Sequence, residues 1–164
     1  MNIRRLQGLA LILNAVCLLL AAFLGENSIV LTVGVILFIL GIPAIYSAQR
    51  TGWIGLTGIV FLELAALIAL GFRLHLVPPS SLGDSLSLTS AILGMLGAVI
   101  VGWLTTREHV FPAWVGWAFM IQGLLNFITG SFNISSQGRP FLILIPILQT
   151  VATFAYGYFI YQLQ

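Results

Sequence analysis

The stretch Trp53–Phe72 reads WIGLTGIVFLELAALIALGF, and it decides the fold. It is apolar over about twenty residues, which as a helix spans a hydrocarbon core roughly 30 Å thick. Its one charged residue, Glu63, lies near the middle. A charge at that depth costs about 3 kcal/mol on insertion scales, so an intramembrane carboxylate is a candidate functional group.

The composition shows that the whole chain of 164 residues is as apolar as a membrane protein. Hydrophobic residues make up 60% and charged residues 6%, with a mean hydropathy of +1.11. Soluble domains carry about 25% charged residues, so lipid must be the solvent for most of this protein's surface. The cationic residues are six scattered arginines, which cannot form the clustered basic face of a nucleic-acid-binding protein.

Six apolar stretches separated by short polar connections predict an all-α fold, a polytopic integral membrane protein with a six-helix transmembrane bundle. The whole chain, residues 1–164, forms a single transmembrane domain. The predicted helices cover about residues 6–24, 29–48, 53–72, 86–105, 112–131 and 140–161. An even number of spans brings the two termini to the same side of the membrane.

Prolines and turn residues set several predicted boundaries. Pro43 should kink the end of the second helix because it has no backbone N–H to donate. Asp84 and Ser85 are candidate N-caps for the fourth helix. Pro140 should begin the sixth helix, and Pro146 should kink that helix or loosen its first turns.

The arginines predict that the N-terminus and the C-terminus lie inside. With that orientation the inner segments carry Arg4, Arg5, Arg50 and Arg107, and the outer connections carry Arg73 and Arg139. This is the excess of cations that the positive-inside rule requires.

The Trp and Tyr residues fall on one side of the predicted membrane. All eight lie towards inner helix ends: Tyr46, Trp53, Trp103, Trp114, Trp117, Tyr156, Tyr158 and Tyr161. Two interpretations are open. The residues form an interfacial belt, which the sequence favours, or they line an aromatic vestibule that opens towards the inner face.

Small residues predict where helices approach closely. Gly94, Ala98 and Gly102 repeat every four residues on the fourth helix. In lipid, such small faces let helix backbones pack against one another. We expect this face to be a helix contact that does not accept larger side chains.

Polar side chains from three other helices are predicted to share the depth of Glu63. They are the amides of Asn14, Gln122, Asn126 and Gln149. In one interpretation, Glu63 is protonated and bonds an amide as interhelical glue. In the other, the five residues line a cavity that binds a ligand or couples to protons. The second interpretation requires Glu63 to face the bundle interior within reach of an amide.

Other chemistry finds little support. Cys17 is the only cysteine, and His75 and His109 fall in connections on opposite sides. We therefore expect no metal site, no cofactor and no catalytic residue. Motifs for nucleophilic, metal-dependent or phosphate-binding enzymes are missing from the sequence.

Three functions follow, in order of support. The first is a small membrane carrier or binding protein for an ion, a proton or a hydrophobic small molecule, centred on Glu63. The second is a non-catalytic accessory or assembly subunit of a membrane complex. The third is an intramembrane enzyme acting on a lipid or isoprenoid. The expected partners are the lipid bilayer, a hydrophobic or cationic small molecule, and further subunits packed on glycine faces. We expect a multi-pass protein of the plasma membrane.

Overall fold

Seven helical segments make up the regular structure of the described part of the chain. The computed structural model describes residues 2–24, 28–49, 51–77, 81–131 and 144–162. The segments are α1 (Ile3–Leu24), α2 (Ser28–Gly41), α3 (Pro43–Gln49), α4 (Gly52–Arg73), α5 (Ser81–Glu108), α6 (Ala113–Ser131) and α7 (Leu144–Gln162). No strand occurs in these ranges, so the predicted all-α class is confirmed.

The helices α2 and α3 are two parts of one rod that is interrupted at Ile42. The Ile42 amide still donates to the Phe38 carbonyl, and the next turn restarts where the Ile45 amide donates to Ile42. Between them, Pro43 cannot donate, and its ring crowds the carbonyl four residues earlier. The predicted kink at Pro43 is therefore confirmed, and the seven segments form six rods.

Five of these rods are long and apolar enough to cross a membrane. They cover Ile3–Phe23, Ile29–Gln49, Gly52–Arg73, Leu82–Glu108 and Leu144–Gln162. The apolar part of α6, Ala113–Thr129, is shorter. Large aliphatic side chains such as Leu20, Leu67 and Ile121 are exposed on the outside of the rods. Contact with water would be unfavourable for these side chains, whereas contact with lipid is favourable. The protein is thus a multi-pass membrane protein, and a sixth crossing by α6 stays a prediction.

One helix start differs from the predicted one, and another cannot be compared. The helix α5 begins at Ser81, so Asp84 and Ser85 lie inside its first turns and are not its N-caps. Asp84 is favourable there because a carboxylate in the first turn complements the helix dipole. The predicted start of the last helix at Pro140 lies outside the described residues. From Leu144 onward α7 is helical, with Pro146 in its first turn, where few intrahelical hydrogen bonds need its N–H.

The rods form a closed ring. Around it, α1 packs against α2, the α2–α3 rod against α4, α4 against α5, α5 against α6, α6 against α7, and α7 against α1. Neighbouring rods are antiparallel, as Gly8 near the start of α1 meets Gly157 near the end of α7. We call the end at which α1 begins and α7 ends the aromatic end, and the other the cavity end.

Glycines bring the backbones together in the half of the ring near the aromatic end. A methyl group on Gly102 would lie 2.6 Å from the Gly116 carbonyl oxygen, and one on Gly157 would lie 2.6 Å from the Gly8 carbonyl oxygen. A methyl group on Gly97 would also collide with α4. Side chains larger than hydrogen would push these rods apart, so glycine sets the distance at three seams.

A buried aromatic cluster fills the ring in this half. Tyr156 is fully buried and makes edge-to-face contacts with Phe111 and Phe119, with ring centroids 5.1 Å and 5.5 Å away. Such contacts stabilise beyond the buried area itself. Inside the ring, the described residues of this half therefore form a packed aromatic core.

One hydroxyl connects three rods beside this cluster. Thr105 on α5 donates to the Val101 carbonyl at 2.8 Å. Its oxygen then accepts from the Gln49 side-chain amide and from the Tyr156 hydroxyl. Because one hydroxyl has one donor and two acceptor positions, this arrangement satisfies it completely.

Three tryptophan side chains at this end are exposed on the outside of the ring. The exposed fractions of Trp53, Trp114 and Trp117 are 83%, 50% and 58%. The guanidinium of Arg107 lies 5.4 Å from the ring centre of Trp103, close enough for a cation–π contact. These positions support the belt interpretation of the aromatic residues.

The glycine seams predict which small residues accept a methyl group. Gly102→Ala should lower the melting temperature in detergent, because α5 and α6 must separate at a cost of about 1–3 kcal/mol. Gly94→Ala is the control, since its methyl group would meet Ala65 at 3.6 Å, an ordinary contact. Thermal unfolding measured by tryptophan fluorescence tests this, and equal melting temperatures for both variants would contradict the seam.

The Thr105 hydrogen bonds predict a second difference in stability. Thr105→Val keeps the shape but leaves the Gln49 amide and the Tyr156 hydroxyl without their acceptor. We expect a loss of about 1–2 kcal/mol, as interhelical hydrogen bonds in membranes contribute about 0.6 kcal/mol on average. Thr105→Ser should retain most of the wild-type stability. If both variants unfold alike, the hydroxyl does not connect the rods as described.

Candidate functional site

A cavity of about 820 Å³ occupies the inside of the ring towards the cavity end. All six rods contribute to its wall. Along α4 the lining extends from Leu62 to Arg73 and along α5 from Ser87 to Ala98, about 16 Å on each helix. Its deep end meets Phe119, which belongs to the packed aromatic core.

Small side chains on the inner faces create this space. Ala65 and Ala69 on α4 line the cavity with Ala91 on α5. The large residues of the same helices, such as Leu64 and Leu67, are exposed on the outside. Because lipid solvates a large aliphatic side chain, the outward position costs nothing, and the interior is left unfilled.

The four predicted amides all line this cavity. Asn14 comes from α1, Gln122 and Asn126 from α6, and Gln149 from α7. Asn14 and Gln122 are buried, Gln149 is half-buried and Asn126 is exposed. Within the described residues, the amides of Gln122, Asn126 and Gln149 make no side-chain hydrogen bond. The structure thus brings together four of the five residues singled out from the sequence.

Asn14 is held by one hydrogen bond and has an unused acceptor. Its Nδ2 donates to the Gly34 carbonyl oxygen on α2 at 2.7 Å. The residue is 2% exposed, and its buried Oδ1 finds no donor in the described part of the chain. A buried polar atom without a partner costs about 1–3 kcal/mol, so a ligand that donates a hydrogen bond there gains affinity.

Glu63 lies apart from this group. It is half-buried and does not belong to the cavity lining. Around the axis of α4, the side chain of Glu63 is rotated by about 100° from that of Leu62, which lines the cavity. It is rotated by only about 40° from that of Leu67, which is exposed on the outside. No hydrogen bond or ion pair of Glu63 occurs among the described residues. The structure therefore does not bring Glu63 within reach of the amides.

Arg73 and two serines are lining residues that the sequence analysis did not single out. Ser87 and Ser90 come from α5, and the Ser90 hydroxyl donates to the Ala65 carbonyl oxygen at 3.0 Å. Arg73 was assigned to a connection. The sequence did hold a signal that Arg73 and Leu62 share a face of α4. Arg73 follows Leu62 by eleven residues, and around the helix axis its direction is within about 20° of that of Leu62.

The end of α4 defines the backbone position of Arg73. The Leu76 amide donates to the Gly71 carbonyl and the His75 amide to the Phe72 carbonyl. Together with the positive φ of 56° at His75, these two bonds form a Schellman motif. The helix therefore continues through Arg73, which keeps this residue on the cavity-lining face.

The chemistry of the lining is that of hydrogen bonding beside one positive charge. Amides both donate and accept, and serine hydroxyls do the same. No carboxylate occurs among the described residues that line the cavity. No three His, Cys, Asp or Glu side chains come together in the described ranges, and the described lining offers amide and hydroxyl oxygens instead. The cavity is suited to binding a molecule with polar groups on an apolar body.

Comparisons with protein-family models, curated proteins and solved structures found no match to this chain. The functional argument therefore depends on the geometry of the cavity.

Proposed function

We propose that the protein is a small membrane carrier or binding protein whose ligand is an amphipathic small molecule held in the ring cavity. The observation that carries this proposal is the convergence of Asn14, Gln122, Asn126 and Gln149 on one cavity wall. The role of Glu63 as a proton-coupling group stays a prediction, and the experiment below tests whether Glu63 takes part in binding.

The size and surface of the cavity support this proposal. Small-molecule sites have volumes of about 300–1,000 Å³, with mostly apolar walls and a few polar groups that fix the orientation of the ligand. The volume of about 820 Å³ falls within this range. Alanine, leucine and phenylalanine side chains supply much of the apolar wall, and the amides and serines supply the groups that orient the ligand.

Two other functions have less support. An accessory subunit would use small-residue faces on its outer surface to bind its complex. The glycines Gly8, Gly102, Gly116 and Gly157 instead contact neighbouring helices within the ring. An enzyme acting on a lipid would use a general acid or base beside its substrate. Glu63 is the carboxylate that such an enzyme would use as a general acid, and it does not line the cavity.

The orientation forms part of the proposal. Arg4, Arg5 and Arg107 lie at the aromatic end and Arg73 lies at the cavity end. The positive-inside rule then favours an inside position for the aromatic end and both termini. In the plasma membrane, the cavity would occupy the outer half of the bilayer, and its ligand would enter from the outer side or the outer leaflet.

Blocking the cavity should abolish binding of a suitable probe. The probe is radiolabelled dodecanol, whose hydroxyl can donate to the free Oδ1 of Asn14. Ala91→Phe places a ring in the cavity, and we expect at least about a tenfold loss of affinity, as bulk that forces the ligand out removes its contacts with the wall. Scintillation proximity measurements on protein purified in a neutral detergent provide the readout.

Two control variants make this test specific. Ile92→Phe adds similar bulk at the next residue, which is exposed on the outside, and should bind dodecanol like the wild type. Glu63→Gln should also bind normally, because Glu63 does not line the cavity. If Ala91→Phe folds with wild-type thermal stability and binds dodecanol normally, the cavity is not the binding site. If Glu63→Gln instead loses dodecanol binding, Glu63 is part of the binding site.

The orientation predicts opposite labelling at two exposed positions. Leu76 follows α4 at the cavity end, and Glu108 ends α5 at the aromatic end. In a Cys17→Ala background, Leu76→Cys should react with a membrane-impermeant maleimide on intact cells. Glu108→Cys should react only after the membrane is permeabilised. Labelling of both cysteines on intact cells would contradict the antiparallel ring, and the reverse pattern would invert the orientation.

A further inference from the structure

Among the described residues that line the cavity, Arg73 is the charged one. It is half-buried in the last turn of α4 and lines the cavity on the same face as Leu62 and Ala69. Among the described residues it has no ion pair and no side-chain hydrogen bond. An arginine that only anchored the helix at the membrane surface would point outward along the lipid-facing side. Arg73 instead contributes to the inner wall.

The acidic residues of the described chain do not neutralise Arg73. Glu63 lies outside the lining, Glu108 is at the opposite end of the bundle, and the exposed Asp84 on α5 makes no ion pair. Among the described residues, the positive charge towards this end of the cavity therefore has no carboxylate partner, and alanines of α4 and α5 line the cavity beside it. Electrostatic attraction is stronger there than in water because the apolar wall lowers the local dielectric constant.

Polar groups at the other end of the cavity complete the pattern. The unused Oδ1 of Asn14 and the buried amide of Gln122 lie towards the deep end, where Leu62 meets the packed core. Arg73 is about 16 Å further along the axis of α4. An elongated molecule that filled this space would have its charged group beside Arg73 and a hydrogen-bonding group beside Asn14.

Resting on the proposed function, we infer that the ligand is an anionic amphiphile whose acidic head group pairs with Arg73 and whose apolar body extends towards the amides. A carboxylate or phosphate oxygen accepts bidentate hydrogen bonds from a guanidinium, and such charged pairs are about twice as strong as neutral ones. A hydroxyl at the far end of the body would satisfy Asn14. The same cavity would disfavour a cationic head group because Arg73 repels it.

Matched probes with one chain length and different head groups test this inference. Binding of dodecanoate, dodecanol and dodecyltrimethylammonium is measured on protein in neutral detergent, at a pH at which dodecanoate is ionised. The wild type should prefer dodecanoate to dodecanol by about tenfold to a hundredfold and should bind the trimethylammonium probe most weakly. A preference for ω-hydroxydodecanoate over dodecanoate would indicate the contact with Asn14.

Variants at Arg73 separate its charge from the folding of α4. Arg73→Gln should lose the preference for dodecanoate and keep its affinity for dodecanol, which also shows that the cavity remains intact. Arg73→Lys should keep part of the preference because it retains the charge but not the bidentate geometry. Arg107→Gln removes an exposed arginine at the opposite end and should behave like the wild type.

The outcomes distinguish this inference from the proposed function. If wild type and Arg73→Gln bind dodecanoate and dodecanol equally, the anionic head group is overturned while the cavity site stands. If the wild type binds none of the probes, the proposed function fails as well.

Anionic amphiphiles could come from the bilayer or from solution, and reconstitution distinguishes these sources. In nanodiscs of phosphatidylcholine with phosphatidylglycerol, loss of dodecanoate binding relative to phosphatidylcholine alone identifies a membrane lipid as the occupant. If phosphatidylglycerol reduces dodecanoate binding to the wild type but not to Arg73→Gln, the lipid head group contacts Arg73 as dodecanoate does. Unchanged dodecanoate binding identifies a free amphiphile, and it equally supports the anionic site.

Discussion

The close approach of glycine backbones near the aromatic end is the constraint on which the rest of the structure depends. At the seams between α1 and α7 and between α5 and α6, even a methyl group would overlap a carbonyl oxygen of the facing helix. In lipid, helices gain little from burying apolar side chains, because the alternative environment is also apolar. Dense backbone packing is therefore a main source of association. It concentrates in the half of the ring that holds Tyr156 and Thr105.

The cavity is a consequence of how unevenly this packing is distributed. Towards the cavity end, a methyl group on Gly94 would meet only an ordinary contact, and alanines replace the large side chains that would fill the space between the rods. The bundle is thus dense at one end and hollow at the other. In a water-soluble protein, a void lined by small apolar residues would be destabilising unless it were filled. Here the polar groups in the wall make a bound molecule or water favourable.

The polar groups of the membrane-spanning region separate into two kinds of role. Gln49, Thr105 and Tyr156 satisfy one another and connect three rods. Their hydrogen bonds are internal, and none of these three side chains lines the cavity. The amides of Asn14 and Gln122 have capacity left over and lie in the cavity wall. This difference in position, rather than the presence of a charge such as Glu63, is what distinguishes the candidate site.

The sequence by itself determined the features that depend on length and local chemistry. Long apolar stretches require helices in a bilayer because each backbone polar group must be paired within its own segment. The missing N–H of Pro43 predicts the break in the second rod, and counting along the stretches places Asn14 and Gln149 at a similar depth. Helix starts such as Ser81 were missed because polar first turns carry no apolar period. The crossing of the bilayer by α6 stays a prediction. The inward position of the aromatic end is part of the proposed orientation.

Only the tertiary structure decided which face of each helix points into the ring. In a soluble protein, the alternation of polar and apolar residues reveals the buried face. In α4 nearly every face is apolar, since lipid and bundle interior accept the same side chains. The direction of Glu63 therefore could not be inferred from its neighbours in sequence. The positions of the glycine contacts on several helices together rotate α4 so that Leu62, Ala69 and Arg73 line the cavity while Glu63 remains at its side.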